Sequence, residues 1–188
     1  MNKKKFRMLC IKRLKRKAET STYKLDKLMV QRLYLYIKKN RVKTIMLYVP
    51  LNIEVNINSL IKILRMEKKT LLVPFMEGES FRLVKYRLPL DVKKFGVKEP
   101  RNSNRYKREI DLAIVPTVGV DTRFRRIGFG KGFYDRFYEN NHKKIKEVLF
   151  ISRVNCFYSE DITDDFDIKA NAYMTPKKTI FKQKNLSP

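Results

Sequence analysis

The stretch DLAIVPTVGVDTRFRRIGFGKGFYDRFYEN, residues 111 to 140, joins an apolar run to an amphipathic one through a loop of glycine and arginine. DLAIVP (111 to 116) is short, apolar and closed by proline, which reads as a buried strand. GFYDRFYEN (132 to 140) reads as a helix. The chain has only six glycines in 188 residues, and four of them, Gly119, Gly128, Gly130 and Gly132, fall in this stretch. Strand, glycine loop and helix in that order form the unit from which open α/β sheets are built, and ligands sit outside the carboxyl ends of such strands. The stretch therefore predicts both the fold class and the place of a site.

The rest of the chain repeats the pattern. TIMLYVP (44 to 50), TLLVP (70 to 74), EVLFIS (147 to 152) and NAYMTP (171 to 176) are further short apolar runs, and SFRLVKY (80 to 86) alternates like a half-exposed strand. Ile57, Leu60, Ile61 and Leu64 mark a helix between the first two. Phe6, Leu9, Cys10 and Leu14 place a basic helix over about 4 to 18, and Leu25, Met29, Leu33 and Tyr36 a second helix that Ser21 or Thr22 could cap and that ends near Asn40. Residues 88 to 109 show little periodicity and read as a surface excursion. The expectation is one α/β domain over 1 to 188, a mostly parallel central sheet with flanking helices, two of them N-terminal, and a basic tail loosely ordered from about 177.

Phosphate is the ligand that the loop suits. A helix N-terminus offers unpaired N–H groups and partial positive charge, glycine lets backbone approach closely, and Arg125, Arg126 and Lys131 add full charges. The spacing G-x-G-x-G is not the dinucleotide fingerprint G-x-G-x-x-G, since residue 133 is Phe, and no Walker A string occurs. A plain glycine turn with a basic surface is the alternative.

Formal net charge is +25, from 44 Lys and Arg against 19 Asp and Glu. Such a field attracts polyanions non-specifically, or reflects lysine enrichment of a solvated surface. A basic RNA- or ribosome-associated protein is the competing reading; it accounts for the charge but not for the glycines gathered where strand meets helix, nor for Asp135. No apolar run reaches the ~20 residues of a membrane helix, and no signal-peptide core follows the first lysines. A cytoplasmic protein is expected, with Cys10 and Cys156 reduced and serving only to pack. His142, the single histidine, falls in a polar loop; zinc-ligand spacing and a Ser-His-Asp set are lacking.

RRIGFGKGFYD resembles R-[LI]-G-x-G-x-G-[FY]-Y-D, the hallmark of the 5-formyltetrahydrofolate cyclo-ligase (methenyltetrahydrofolate synthetase) family. Other segments follow in order. KKKFR is similar to that family's nucleotide-contacting start, LYVPLNIEVN to its folate-touching segment, FGVKEP to a G-[IV]-x-E-P element, DLAIVPTVGVD to D-L-[VI]-[LIV]-V-P-G-V-A-F-D, and FDIKANAYMTP to its closing aspartate segment. Thr117 stands where Gly is usual, Phe166 where His often precedes the aspartate, Asn171 where a second Asp is usual, and no glutamine lies near 153 to 155.

The resemblance implies ATP-dependent closure of 5-formyltetrahydrofolate to 5,10-methenyltetrahydrofolate with Mg²⁺, taking ATP and a reduced folate; a monomer that binds no specific nucleic acid is the accompanying expectation. It places ATP on Lys3, Arg7 and the run Arg126, Ile127, Gly128, Phe129, Gly130, Lys131, Gly132, Phe133 and Tyr134, with Arg126 and Lys131 acting in catalysis. It places folate on Val49 and Glu54, and metal on Asp135 and Asp167. The residues alone leave other roles open: Asp135 as an ordinary first-turn aspartate, Glu54 as a surface carboxylate, and most of the 129 to 138 aromatics as core.

Overall fold

The structure, a computed structural model, describes residues 1–93, 96, 98–101 and 104–183. Helices α1 (Lys3–Ala18) and α2 (Tyr23–Lys39) open the chain, followed by β1 (Thr44–Met46), α3 (Asn58–Met66), β2 (Thr70–Glu77) and β3 (Ser80–Lys85). Two short strands, β4 (Leu90–Val92) and β5 (Lys98–Pro100), precede β6 (Leu112–Pro116), β7 (Gly119–Val120) and β8 (Arg126–Ile127). Helix α4 (Phe133–Asn141), β9 (Val148–Ile151), β10 (Ala172–Met174) and β11 (Thr179–Phe181) complete it.

Seven strands form one sheet in the order β11-β10-β9-β6-β1-β2-β3. The five inner strands are parallel, and β3 and β11 add antiparallel edges. This is the expected mostly parallel sheet. Side chains alternate across it with the period of two that strands impose: Ile45, Leu71, Leu112, Ile114, Leu149 and Ile151 pack on one side against Met29, Leu33 and Ile37 of α2 and Leu60 and Leu64 of α3. Met46, Leu72, Ala113, Val115, Val148 and Phe150 pack on the other, with Phe137 of α4 and Phe81 of β3. Both faces are covered, which is why the parallel strands read as continuous apolar runs.

Chain direction across the sheet reverses between β1 and β6. From β1 the chain steps to β2, whereas β6, β9 and β10 step the other way. A crevice opens at such a switch point because the loops leaving the two strands diverge. The loop after β1 carries Val49 and Glu54, and the loop after β6 carries the glycines.

Several boundaries differ from expectation. Residues 88 to 109 contain the β4–β5 hairpin, too short for periodicity to reveal. The tail supplies edge strand β11 before residue 183, and 184–188 lie outside the described residues. Leu9 faces solvent, so α1 buries only Phe6, Cys10 and Leu14, against Val118, Ile127 and Cys156. Asn2 caps α1 by accepting from Lys5 N at 2.9 Å, while Thr22 sits at the α2 N-cap without a side-chain bond. Among the described residues no helix is long and apolar enough to cross a membrane. Cys10 and Cys156 are free, buried thiols.

Candidate active site

The glycine loop wraps a buried guanidinium. Arg126 Nε and Nη2 both donate to Pro116 O at 3.1 Å, so the end of β6 anchors it. Its Nη1 lies 3.9 Å from Asp135 Oδ2, and its guanidinium carbon 4.7 Å above the Tyr134 ring. A Cβ at Gly128 would stand 2.3 Å from Arg126 Nη1, so only glycine leaves the guanidinium room. Gly132 caps α4 at φ +69°, a left-handed conformation that a side chain would strain. That turn aims the N-terminus of α4, whose cap makes no side-chain hydrogen bond, toward the crevice.

Other elements tie the loop from outside. Arg7 of α1 donates from Nε to Gly128 O at 2.9 Å. Arg136 of α4 donates to Lys131 O at 2.7 Å and to Glu79 O at 2.6 Å, which joins the loop to the β2–β3 turn. Before the loop, buried Asp121 accepts from the backbone N–H groups of Arg123 and Arg125 at 3.1 Å each, and from those of Ile162 and Thr163. Thr117, where the family pattern has glycine, uses its hydroxyl to donate to Gly119 O at 2.7 Å.

A cavity of about 670 Å³ lies against this loop. One wall is Arg126, Phe129, Lys131, Gly132, Phe133 and Tyr134; the facing wall includes Tyr48, Val49, Leu51 and Glu54. The end of β2, with Phe81, Lys93, Lys98 and Glu99, closes the rest. Most of this lining is apolar, as ligand cavities are. Glu54 Oε2 accepts from Leu51 N at 2.9 Å. Burial pushes its carboxyl up to about 7, against the opposing pull of the Leu51 N–H and the Arg126 and Arg153 charges. Burial likewise raises the phenols of Tyr48 and Tyr134, so both stay neutral donors.

Val49, Glu54 and most of the expected nucleotide residues thus share one cavity. Ile127, Gly128, Gly130 and Arg7 are not among the lining residues, and the Ile127 side chain is buried beneath α1. Lys3 is not among the lining residues and bridges Asp164 and Asp167. Asp167 also accepts from Asp164 N at 2.8 Å, and its side chain is 5% exposed. Asp135 accepts weakly from Ile168 N at 3.3 Å. Among the described residues no three His, Cys, Asp or Glu gather as a metal cluster, but Mg²⁺ beside phosphate needs only one or two carboxylates. Asp135, part exposed at the loop, fits that demand if it shares its carboxylate between the metal and Arg126; Asp167 fits only if it exchanges Lys3 for the metal.

Sequence reasoning missed Tyr48, Glu99, Asp26 and Arg153. Glu99 of β5, 3% exposed, accepts from Met76 N at 2.9 Å and holds the hairpin to β2. Its signal was the E-P pair of the G-[IV]-x-E-P element, whose Phe95 and Val97 lie outside the described residues. Phe166, in the usual histidine position, is 71% exposed with Lys3 Nζ 5.4 Å from its ring centroid, and Asn171 accepts from Val148 N at 2.8 Å to fix the start of β9. His142 is exposed beside Glu139 O, away from the cavity lining.

Known proteins resemble this chain in sequence and fold. A sequence profile of the 5-formyltetrahydrofolate cyclo-ligase family matches residues 1–165. A probable 5-formyltetrahydrofolate cyclo-ligase of Schizosaccharomyces pombe is 28% identical over 159 residues, covering 74% of this chain and 78% of that protein. The 5-formyltetrahydrofolate cyclo-ligase of Haemophilus influenzae is 28% identical over 116 residues, 57% of this chain and 62% of that one. The solved structure of Aquifex aeolicus 5,10-methenyltetrahydrofolate synthetase superposes with a TM-score of 0.80 at 26% identity, over 100% of this chain and 96% of that one. The Mycoplasma pneumoniae synthetase, at 22% identity and a TM-score of 0.69 over 92% and 98% of the two chains, shares the fold. With the loop, the crevice and the match over residues 1–165 in agreement, the chain belongs to the 5-formyltetrahydrofolate cyclo-ligase family.

Proposed function

We propose that this protein closes 5-formyltetrahydrofolate to 5,10-methenyltetrahydrofolate with ATP as phosphoryl donor. The observation that carries the reading is the shared cavity, in which a loop suited to phosphate faces a carboxylate suited to the N–H donors of a pterin. An amide-like formyl oxygen is a poor leaving group. It attacks the γ-phosphorus of ATP and ADP departs; N10 then attacks the formyl carbon, the carbon–oxygen bond breaks, and phosphate leaves with the electron pair. The N10 proton is lost as the ring closes.

Such chemistry asks for positioning and charge stabilisation rather than a covalent nucleophile. Arg126, fixed by Pro116 O, and Lys131 on the same wall meet charge on the transferring phosphoryl oxygens. The N–H groups from Gly128 to Gly132 and the α4 N-terminus hold the phosphates. Mg²⁺ bound at Asp135 would neutralise phosphate charge and orient ATP. Glu54, ionised above about pH 7, accepts from the pterin, while Val49 and Phe129 border its ring. The protein acts as a monomer, and free buried thiols suit a cytoplasmic protein. Binding to nucleic acid is non-specific and falls steeply with salt.

The direct test mixes purified protein with Mg-ATP and 5-formyltetrahydrofolate and follows methenyl absorbance. Product that requires both substrates is expected. A folded preparation that forms none overturns the reading.

A further inference from the structure

Arg153 follows β9 and is buried, its side chain only 2% exposed. A guanidinium has five N–H donors in a fixed fork, and all five are placed. Nε and Nη2 donate to the two carboxylate oxygens of Asp26 on α2, at 3.0 and 3.1 Å. Nη1 donates to Asn52 O and Ile53 O at 3.3 Å each, and Nη2 also to Glu54 O. Three consecutive carbonyls of the turn after β1 therefore converge on one side chain that reaches across the sheet.

We infer that Arg153, with Asp26 as its counter-ion, is the positioning residue for Glu54 and thereby sets affinity for the folate. Carbonyls at 52, 53 and 54 all accept from this one guanidinium, so its loss takes a donor from each of them at once. The turn closes on itself through Glu54 N to Leu51 O at 2.9 Å, and the Glu54 side chain is fixed in turn by Leu51 N. Arg153 fixes the backbone half of that arrangement, and Leu51 the side-chain half. Arg153 is absent from the cavity lining, so it acts through the turn rather than on the substrate.

A second consequence is electrostatic. Glu54 faces Arg126 of β8, Arg153 after β9, Tyr134 of α4 and Tyr48 after β1, with Asp26 of α2 behind Arg153 and with Lys131 and Glu99 on the same cavity. Burial raises the Glu54 carboxyl, and the Arg153 charge opposes that rise. Removing the charge moves Glu54 further up. Lysine keeps a charge but has three donors and no fork, so it separates geometry from charge.

The inference rests on the proposed reaction, and its test distinguishes the two failures. Wild-type enzyme, Arg153→Lys and the doubly uncharged Asp26→Leu/Arg153→Met are assayed for KM toward 5-formyltetrahydrofolate and toward ATP from pH 6 to 9. Wild type without product overturns the reaction itself. With active wild type, both variants are expected to raise the folate KM by about 10- to 100-fold, the scale of an ångström of misplacement, and to leave the ATP KM within about twofold. Only the double variant should move the acid limb of folate binding to higher pH. The double variant leaves no unpaired buried charge, so it decides the matter if Arg153→Lys does not fold. A wild-type folate KM and acid limb in the double variant, or equal losses toward folate and ATP, overturns the inference.

Discussion

The two walls of the cavity are held by opposite means. The phosphate wall is largely built from neighbours in sequence: Arg126 returns to Pro116, Arg136 to Lys131, and α4 starts where the loop ends. From afar, Arg7 reaches Gly128 O, Arg136 reaches Glu79 O, and Ile168 N reaches Asp135. The folate wall is a turn closed locally by the Leu51 and Glu54 bonds, but its carbonyls at 52, 53 and 54 all depend on one remote side chain. Arg153 holds the turn from 99 positions away at Glu54 O, and is itself paired with Asp26, 127 positions back along the chain. A wall made locally stays formed when a remote contact is lost, whereas a wall made remotely moves with its anchor.

That contrast can be broken most severely at Arg126. Arg126→Met keeps much of the volume and removes the charge, so turnover should fall by about 10² to 10³, with thermal unfolding recorded to show that the protein remains folded. A rate near wild type would remove Arg126 from the chemistry. Asp135→Asn comes next: a hard cation loses its carboxylate, and Mg²⁺-dependent turnover should drop by about 100-fold. If Asp135 only favours the helix dipole, its loss costs ~0.3 to 1 kcal/mol of stability and leaves the Mg²⁺ titration unchanged.

Glu54→Gln sharpens the comparison from the other wall. The Glu54 carboxyl sits at about 7, so its accepting form declines as pH falls through that value, and the wild-type folate KM should rise below pH 7. Glutamine does not titrate. The variant should raise the folate KM by roughly 10- to 100-fold at pH 8, the worth of a hydrogen bond to a charged group, and should flatten the acid limb. The smallest effect is expected at Arg7→Met. Loss of its bond to Gly128 O should raise the ATP KM about two- to tenfold while the folate KM holds; movement of both together would mean that the walls are mechanically one.

The sheet was legible in the sequence because a strand buried on both faces is a short apolar run, and residues 112–116 and 148–151 are fully of that kind. Glycine was equally legible at the loop, since each position answers a local demand: Gly128 makes room for Arg126, and Gly132 turns the chain. Asp26 left a trace that went unread. It falls on the buried face of α2 with Met29, Val30, Leu33 and Ile37, and a carboxylate in a core stripe needs a partner. That the partner is Arg153 depends on how β9 packs across the sheet, which no local pattern encodes. Lys3 shows the same limit: the resemblance of KKKFR brings it to the nucleotide, while its pairing with Asp164 and Asp167 has no local signal.

The last strand has a consequence of a colloidal kind. β11 leaves one edge of the sheet with backbone groups available to another chain, and Phe181 is 59% exposed beside them. Edges of this sort template aggregation unless charge guards them. Lys177, Lys178 and Lys182 flank these three residues and are all exposed. A second copy docking strand to strand would bring those ammonium groups against their own counterparts, on a chain already carrying +25. Lysine here works as a repellent, keeping concentrated protein apart, whereas Lys131, on the same cavity wall as Arg126, serves to attract anions.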